Sequence, residues 1–173
     1  MRNADNTTCW KSSKGFTLVE VIIVVAIIGI TALLAVPMIS SGADFQIRAA
    51  GNIIAADLEY AKSLAIANQE KYSIVFNASN ETYVMQDSDA VAVADPVRAG
   101  STVSVDFAND GRFNSIDISS VSFDTTDTIT FDYLGSPYNG SGSALSSGTI
   151  TLSAGSQSMT ITVEPITGYV TIQ

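Results

Sequence analysis

The stretch Lys14-Gly15-Phe16-Thr17-Leu18-Val19-Glu20 leads into an apolar segment that continues to Val36. As a helix, the segment from Leu18 to Val36 would be roughly 28 Å long, close to the thickness of a bilayer's hydrocarbon core. Its one ionisable group is Glu20. Because an unpaired carboxylate in lipid costs on the order of several kcal/mol, the sequence predicts that Glu20 meets a positively charged partner after assembly.

Two other interpretations of this segment stay open. An ordinary single-pass anchor would have the same length, but it has no need of Glu20 or of a Gly-Phe pair at the membrane edge. A conventional secretory signal would be cut after the apolar run, and Ser41-Gly42-Ala43 is a tolerable site for that cut. The apolar run is longer than a usual signal core, however, which weighs against the second interpretation.

The motif itself is a short basic leader ending in glycine, then Phe-Thr-Leu-Val-Glu, then an apolar helix. It resembles the signature of the type IV pilin and type II secretion pseudopilin superfamily. The resemblance implies that prepilin peptidase cuts between Gly15 and Phe16 and that Phe16 becomes the N-methylated first residue. It also implies that Glu20 pairs with the terminal amine of a neighbouring subunit. The implied partners are other pseudopilins or pilins, prepilin peptidase and an inner-membrane assembly platform.

Charge and length limit the function further. The 173 residues suffice for one globular domain and a membrane segment. The formal net charge is −9, and because residues 1–15 carry a net +2, the rest of the chain carries −11. Such a surface repels phosphates, so we expect no nucleic-acid partner. The basic leader predicts a cytoplasmic N-terminus. With the resemblance, it indicates a single-pass protein of the bacterial inner membrane whose C-terminal domain is periplasmic and joins a pilus-like filament.

Catalysis is not expected, and we predict no catalytic residues and no cofactor. The chain has no histidine, and its one cysteine, Cys9, lies in the leader, so neither a Ser-His-Asp nor a Cys-His site can be built after cleavage. Many type IV major pilins close a C-terminal loop with a disulfide. The lack of cysteine after Cys9 therefore favours a pseudopilin or a minor pilin.

The predicted fold class is α+β and pilin-like: a long N-terminal helix, transmembrane in its first half, packs on an antiparallel β-sheet domain. We divide the chain into a leader over 1–15, a transmembrane and assembly helix over 16–43, and a periplasmic domain over 44–173. Pro37 should kink the helix because it removes one backbone donor. The domain comprises an amphipathic helix over 44–69 and a sheet over 71–173. Apolar residues at three- and four-residue steps predict that this helix packs on the sheet through Ile47, Ala50, Ile54, Leu58, Ala61 and Ala65.

After Lys71 the hydrophobic pattern changes to a period of two, which predicts strands. A Gly/Ser-rich segment, Asn139–Ser147, should be a mobile excursion between two of them. The predicted strands are Tyr72–Phe76, Tyr83–Gln86, Thr102–Phe107, Ser120–Phe123, Thr128–Tyr133, Thr149–Ser153, Met159–Glu164 and Tyr169–Ile172.

The later sequence resembles the GspH/FimT group of minor pseudopilins and pilins. The resemblance rests on the helix Arg48–Gln69, the segment Ile129–Gly135 and the end of the chain from Met159. It implies an H-type minor pseudopilin of a type II secretion system, a structural subunit of the filament that drives protein export. A FimT/FimU-like minor pilin of a type IV pilus is the alternative. An adhesin or other binding module displayed on a filament is an alternative of another class.

One segment partly imitates a calcium-binding loop. Asp106, Asp110 and Asp117 stand at its first, fifth and twelfth places, with Gly111 at the sixth. Ala108 occupies the third place, where a ligand would be expected. Because Asn-Asp-Gly is also a common turn between strands, the turn is the favoured interpretation and these carboxylates are only a weak calcium candidate.

Overall fold

The computed structural model describes residues 15–39 and 41–173. The chain divides into two compact units, residues 1–40 and 41–173. The first unit contains helix α1, Leu18–Ile39, and the second begins with helix α2, Ser41–Asn68. The backbone of Pro37 lies within α1, and the kink expected there stays a prediction. Helix α2 ends where Gln69 adopts a left-handed conformation with φ of 56°.

Nine strands follow α2, and two antiparallel sheets contain them. The strands are β1 Tyr72–Asn77, β2 Thr82–Gln86, β3 Ser104–Asp106, β4 Asp117–Phe123, β5 Thr128–Phe131, β6 Pro137–Asn139, β7 Gly148–Ala154, β8 Gln157–Val163 and β9 Val170–Ile172. The first sheet has the order β3-β2-β1-β5-β6 and the second has the order β4-β7-β8-β9. The helix-on-antiparallel-sheet class is confirmed, with two sheets in place of one.

The alternating pattern explains the strands. In the pairing of β7 with β8, Ile150 lies opposite Ile161 and both are fully buried. Thr149 and Thr162, which also face each other, are half-buried on the outer surface. β-Branched residues on both faces favour this half-buried, pleated arrangement.

Strand β6 is not among the predicted strands, because proline is typical of turns. Pro137 is instead the first residue of an edge strand that pairs with β5, a position where its missing N–H costs no ladder hydrogen bond. The Gly/Ser-rich segment that follows begins with hydrogen bonds to Asn139, and its mobility stays a prediction. Asn139 Oδ1 accepts the N–H groups of Ser141 and Ser143, each at 3.0 Å.

The apolar stripe of α2 forms the centre of the core, as its spacing predicted. Its six residues are buried and face β1, β7, β8 and β9, so that one helix covers parts of both sheets. Gly51 allows this close packing. A Cβ atom at residue 51 would lie 2.5 Å from Met159 Sδ, so a larger residue would force the Met159 side chain to move.

Candidate processing and assembly site

The residues predicted for cleavage and methylation lie just before the first helix. Gly15, Phe16 and Thr17 are outside regular secondary structure and exposed, and α1 begins at Leu18. The Thr17 Oγ1 atom accepts the Glu20 backbone N–H at 3.2 Å, and the Thr17 carbonyl oxygen accepts the Val21 N–H at 3.2 Å. Thr17 is therefore the N-cap, which starts the helix two residues later than the sequence predicted.

Thr17 was missed as a functional residue, although a signal was present. Threonine followed three residues later by glutamate is the residue pair of a capping box. The cap keeps the Gly15–Phe16 peptide bond out of the helix, because regular structure begins only after Thr17. A bond in this irregular and exposed segment can enter the active site of a protease.

Glu20 occupies the first turn of α1, where a carboxylate interacts favourably with the positive end of the helix dipole. Over residues 15–39 and 41–173, no basic side chain lies within ion-pair distance of its carboxylate.

Around Glu20, the surface of α1 is apolar. Phe16, Val21, Val24 and Val25 lie with Glu20 around one shallow depression. Exposure is not confined to this side, since every large apolar residue from Phe16 to Ile30 has about half or more of its surface exposed. A helix that is apolar on all sides needs an apolar environment or neighbouring helices to cover it.

The transmembrane segment expected over 16–43 stays a prediction. None of the helices within residues 15–39 and 41–173 is both long enough and apolar enough to cross a membrane. The leader residues Arg2, Cys9, Lys11 and Lys14 lie outside the described residues.

The weak calcium candidates do not converge on one point. Asp106 accepts the backbone and side-chain N–H groups of Asn109 at 3.0 and 2.8 Å. Asp110 is bound by Arg112, whose side-chain hydrogen bond is the main cause that lowers the pKa of Asp110 to about 2. In the part of the chain that the structure describes, no three carboxylate, thiol or imidazole groups are placed to hold a metal ion.

The third candidate, Asp117, serves a different contact. Its Oδ2 atom accepts the hydroxyl groups of Ser119 and Ser153 at 3.0 and 3.1 Å. Next to it, the Glu81 carboxylate accepts the Ile118 N–H, and burial raises the pKa of Glu81. These acidic residues join β4 to its surroundings, and the Asn-Asp-Gly segment is the turn that the sequence favoured.

Two polar contacts that the sequence did not predict anchor α2. The Tyr83 hydroxyl donates to Asp57 Oδ2 at 2.6 Å. Burial raises the pKa of Asp57, although the hydrogen bond from Tyr83 opposes the shift. Lys62 Nζ donates to the Gly168 carbonyl oxygen at 3.0 Å and pairs with Glu59 at 2.8 Å. Neither Asp57 nor Lys62 belongs to the apolar stripe of α2.

Comparisons with known proteins agree with this architecture. Residues 10–36 match the family model described as the prokaryotic N-terminal methylation motif, and residues 50–167 match the one described as type II transport protein GspH. No curated protein matches the chain by sequence.

Solved structures align with the chain at low sequence identity. The minor pseudopilin EpsH of the type 2 secretion system of Vibrio cholerae aligns with a TM-score of 0.51 and 8% identity over 73% of this chain and 94% of EpsH. The type IV minor pilin FimU of Pseudomonas aeruginosa aligns with a TM-score of 0.47 and 13% identity over 73% of this chain and 91% of FimU. Because the GspH model covers more than half of the sequence, the chain belongs to the GspH family within the type IV pilin and pseudopilin superfamily.

Proposed function

We propose that the chain is an H-type minor pseudopilin of a type II secretion system, a structural subunit of the periplasmic filament that drives protein export. The observation that carries the proposal is the combination of two parts. A GspH-type domain follows a methylation-motif helix whose apolar surface is exposed and whose Glu20 has no basic partner among the described residues.

Processing is the first step of the proposed mechanism. Prepilin peptidase cuts between Gly15 and Phe16, and the new amine of Phe16 is methylated. The exposure of both residues and the helix start at Leu18 support this assignment, because the bond needs no unwinding of α1 before cleavage. We place the leader on the cytoplasmic side of the inner membrane and the domain after α1 in the periplasm.

Assembly is the second step. The apolar surfaces of neighbouring α1 helices cover one another, and Glu20 pairs with the methylated amine of the adjacent subunit. A charge-assisted hydrogen bond in such apolar surroundings is stronger than an exposed ion pair. The pairing therefore sets the register of each incoming subunit as well as adding to its affinity. A kink at Pro37 would let α1 adapt to its neighbours.

Substitutions at Glu20 test the assembly step. We expect Glu20→Ala and Glu20→Gln to be cleaved normally but to be depleted from purified filaments. Glu20→Asp keeps the charge and should be retained better than either. Quantitative mass spectrometry of filament and membrane fractions measures both the mature N-terminus and incorporation. Normal incorporation of Glu20→Gln would overturn the pairing, because that variant preserves size without the charge.

A FimT/FimU-like minor pilin of a type IV pilus is the second candidate, since the same leader and helix would serve in that filament. Deleting the gene in the native bacterium separates the two. Loss of extracellular secreted proteins with surface pili intact supports the pseudopilin. Loss of surface pili with secretion intact supports the minor pilin instead.

A further inference from the structure

Two turns of the domain present large apolar side chains to solvent near the C-terminal end of α2. Leu134 is 68% exposed in the turn between β5 and β6, and Ile166 is 83% exposed in the turn between β8 and β9. Together with Ile66, Tyr133 and Tyr169 they form a surface that we call the apolar pad. All five side chains have about half or more of their surface in contact with water.

The two turns lie side by side on the last turns of α2. A Cβ atom at Gly135 would lie 2.9 Å from Ile66 Cδ1, and one at Gly168 would lie 3.0 Å from the Gly135 carbonyl oxygen. Lys62 Nζ binds the Gly168 carbonyl oxygen. The Gly135–Gly168 contact and this hydrogen bond join the second turn to the first and to the helix, so the pad is a fixed surface.

The first turn is held from within. Asp132 is buried and its Oδ1 atom accepts the N–H groups of Leu134 and Ser136 at 2.9 and 2.8 Å. A carboxylate that binds two backbone N–H groups fixes the turn in one conformation. The turn therefore holds the Leu134 side chain in solvent, outside the hydrophobic core of the domain.

The second turn is strained at its exposed residue. Ile166 has φ of 69°, and the Thr167 N–H donates to the Pro165 carbonyl oxygen at 2.7 Å. This is a γ-turn with a left-handed central residue, a conformation that is unfavourable for a β-branched side chain and easy for glycine. Strain of this kind, combined with an exposed apolar side chain, indicates a role outside the fold.

The size of the pad limits what can bind it. Stable interfaces use about 20–30 residues on each side, whereas the pad has five. It is too small to hold a free partner, so its occupant must already be held close by another contact. Subunits whose N-terminal helices bundle in one filament meet this condition, because a tether raises the effective concentration of neighbouring surfaces.

Charge disfavours a second copy of the chain. Residues 41–173 carry fifteen acidic and five basic side chains, a net charge of −10. Glu70 follows Ile66 by four residues and Glu164 precedes Ile166 by two, and both are exposed. A copy of this domain would bring the same acidic surface, whereas a partner with lysine or arginine around an apolar depression would complement it.

We propose that the apolar pad docks a different pilin-like subunit of the same filament, through an apolar depression edged by basic side chains. The proposal rests on the proposed function and names the surface through which the domain contacts its neighbour. Leu134 and Ile166 insert into the depression, and the exposed carboxylates of Glu70 and Glu164 meet its basic edge.

Site-specific photocrosslinking in the native bacterium tests the proposal. A photoreactive phenylalanine analogue is placed in the full chain at residue 134 or 166, and at the exposed residue Ser156 of the β7–β8 turn as a control. We expect both pad positions, and not the control, to give an adduct with a second protein bearing an N-terminal methylation motif, identified by mass spectrometry. The docking proposal is overturned if the pad positions give only adducts between two copies of this chain. It is also overturned if a cleaved and incorporated chain gives no adduct.

The same experiment separates this proposal from the proposed function. A chain that is neither cleaved before Phe16 nor found in filaments overturns the proposed function and the pad with it. A chain that is cleaved and incorporated, but whose pad is not crosslinked to another subunit, overturns the pad alone.

Ile166→Gly then separates docking from folding. Glycine relieves the left-handed strain, so we expect an unchanged or higher melting temperature of the full chain in detergent. With the crosslinker at residue 134, the adduct yield should nevertheless fall roughly tenfold, the size expected for loss of an anchor residue. A lower melting temperature with an unchanged yield would show that Ile166 serves the fold and would overturn the proposal.

Discussion

Helices α1 and α2 follow each other in the chain but differ in the burial of their apolar side chains. In α2, six residues of one stripe are buried against the sheets of the same chain. In α1, large apolar residues on all sides are exposed. The acidic residues differ in the same sense, because Asp57 of α2 binds Tyr83 whereas Glu20 of α1 has no basic partner among the described residues.

This difference separates folding from assembly. The stripe of α2 belongs to a core that the domain completes alone, so its residues should determine stability. The apolar surface of α1 is exposed, and we propose that other molecules cover it and pair with Glu20, so its residues should determine processing and incorporation. Three predictions test whether the two sets of effects are as separate as the structure indicates.

The largest expected effect is at the predicted cleavage site. Gly15→Val should leave uncut precursor, because a branched residue beside the scissile bond hinders its entry into the peptidase. Intact-mass measurement on membranes from the native bacterium distinguishes precursor from mature chain. Gly29→Val is the matched control, since a Cβ atom there meets nothing within 4 Å. A normal mature mass for Gly15→Val would refute the cleavage assignment.

The second prediction compares the helices directly. Leu58→Ala empties a fully buried position of α2 and should lower the free energy of unfolding by about 2–5 kcal/mol. Val25→Ala removes an exposed side chain of α1 and should change it by less than about 0.5 kcal/mol. Urea denaturation of the full chain in detergent measures both. Equal losses would mean that α1 contributes to the folded core after all.

The smallest effect concerns the acidic residue of α2. Because burial raises the pKa of Asp57 above 3.8 in the folded chain, folding favours its protonated form. The stability of the native chain, relative to Asp57→Asn, should therefore rise as the pH falls through the raised pKa and reach its full value below 3.8. Urea denaturation of both chains at pH 7 and at pH 3.5 measures the difference. A relative loss of stability at pH 3.5 would mean that the Tyr83 hydrogen bond outweighs burial.

Features with a regular local period were predictable from the sequence. The stripe of α2 was identified because 3.6-residue periodicity is a property of the helix alone. The strands from β1 to β9, apart from β6, followed from alternation in the same way. The N-terminal signature could be identified because its residues are adjacent in the chain. Cleavage after Gly15 and the pairing of Glu20 with a neighbouring amine remain predictions.

Contacts between distant residues were not predictable. Tyr83 and Asp57 are 26 positions apart, and Lys62 and Gly168 are 106 apart, so no local pattern marks either pair. Strand β6 was missed because proline favours a turn. Only its pairing with β5, which the sequence does not show, makes Pro137 the start of an edge strand. The N-cap role of Thr17 could have been read from Glu20, and the left-handed φ of Ile166 could not, because isoleucine rarely adopts it.

The exposed surface of α1 also has a consequence for each newly made molecule before that surface is covered. Chains released into water with this helix exposed would aggregate, because a contiguous apolar surface of this extent promotes association between molecules. Synthesis must therefore be coupled to delivery, and surplus copies should be degraded quickly. A biochemist who purifies the protein faces the same demand and must shield the first helix from the moment the cells are opened.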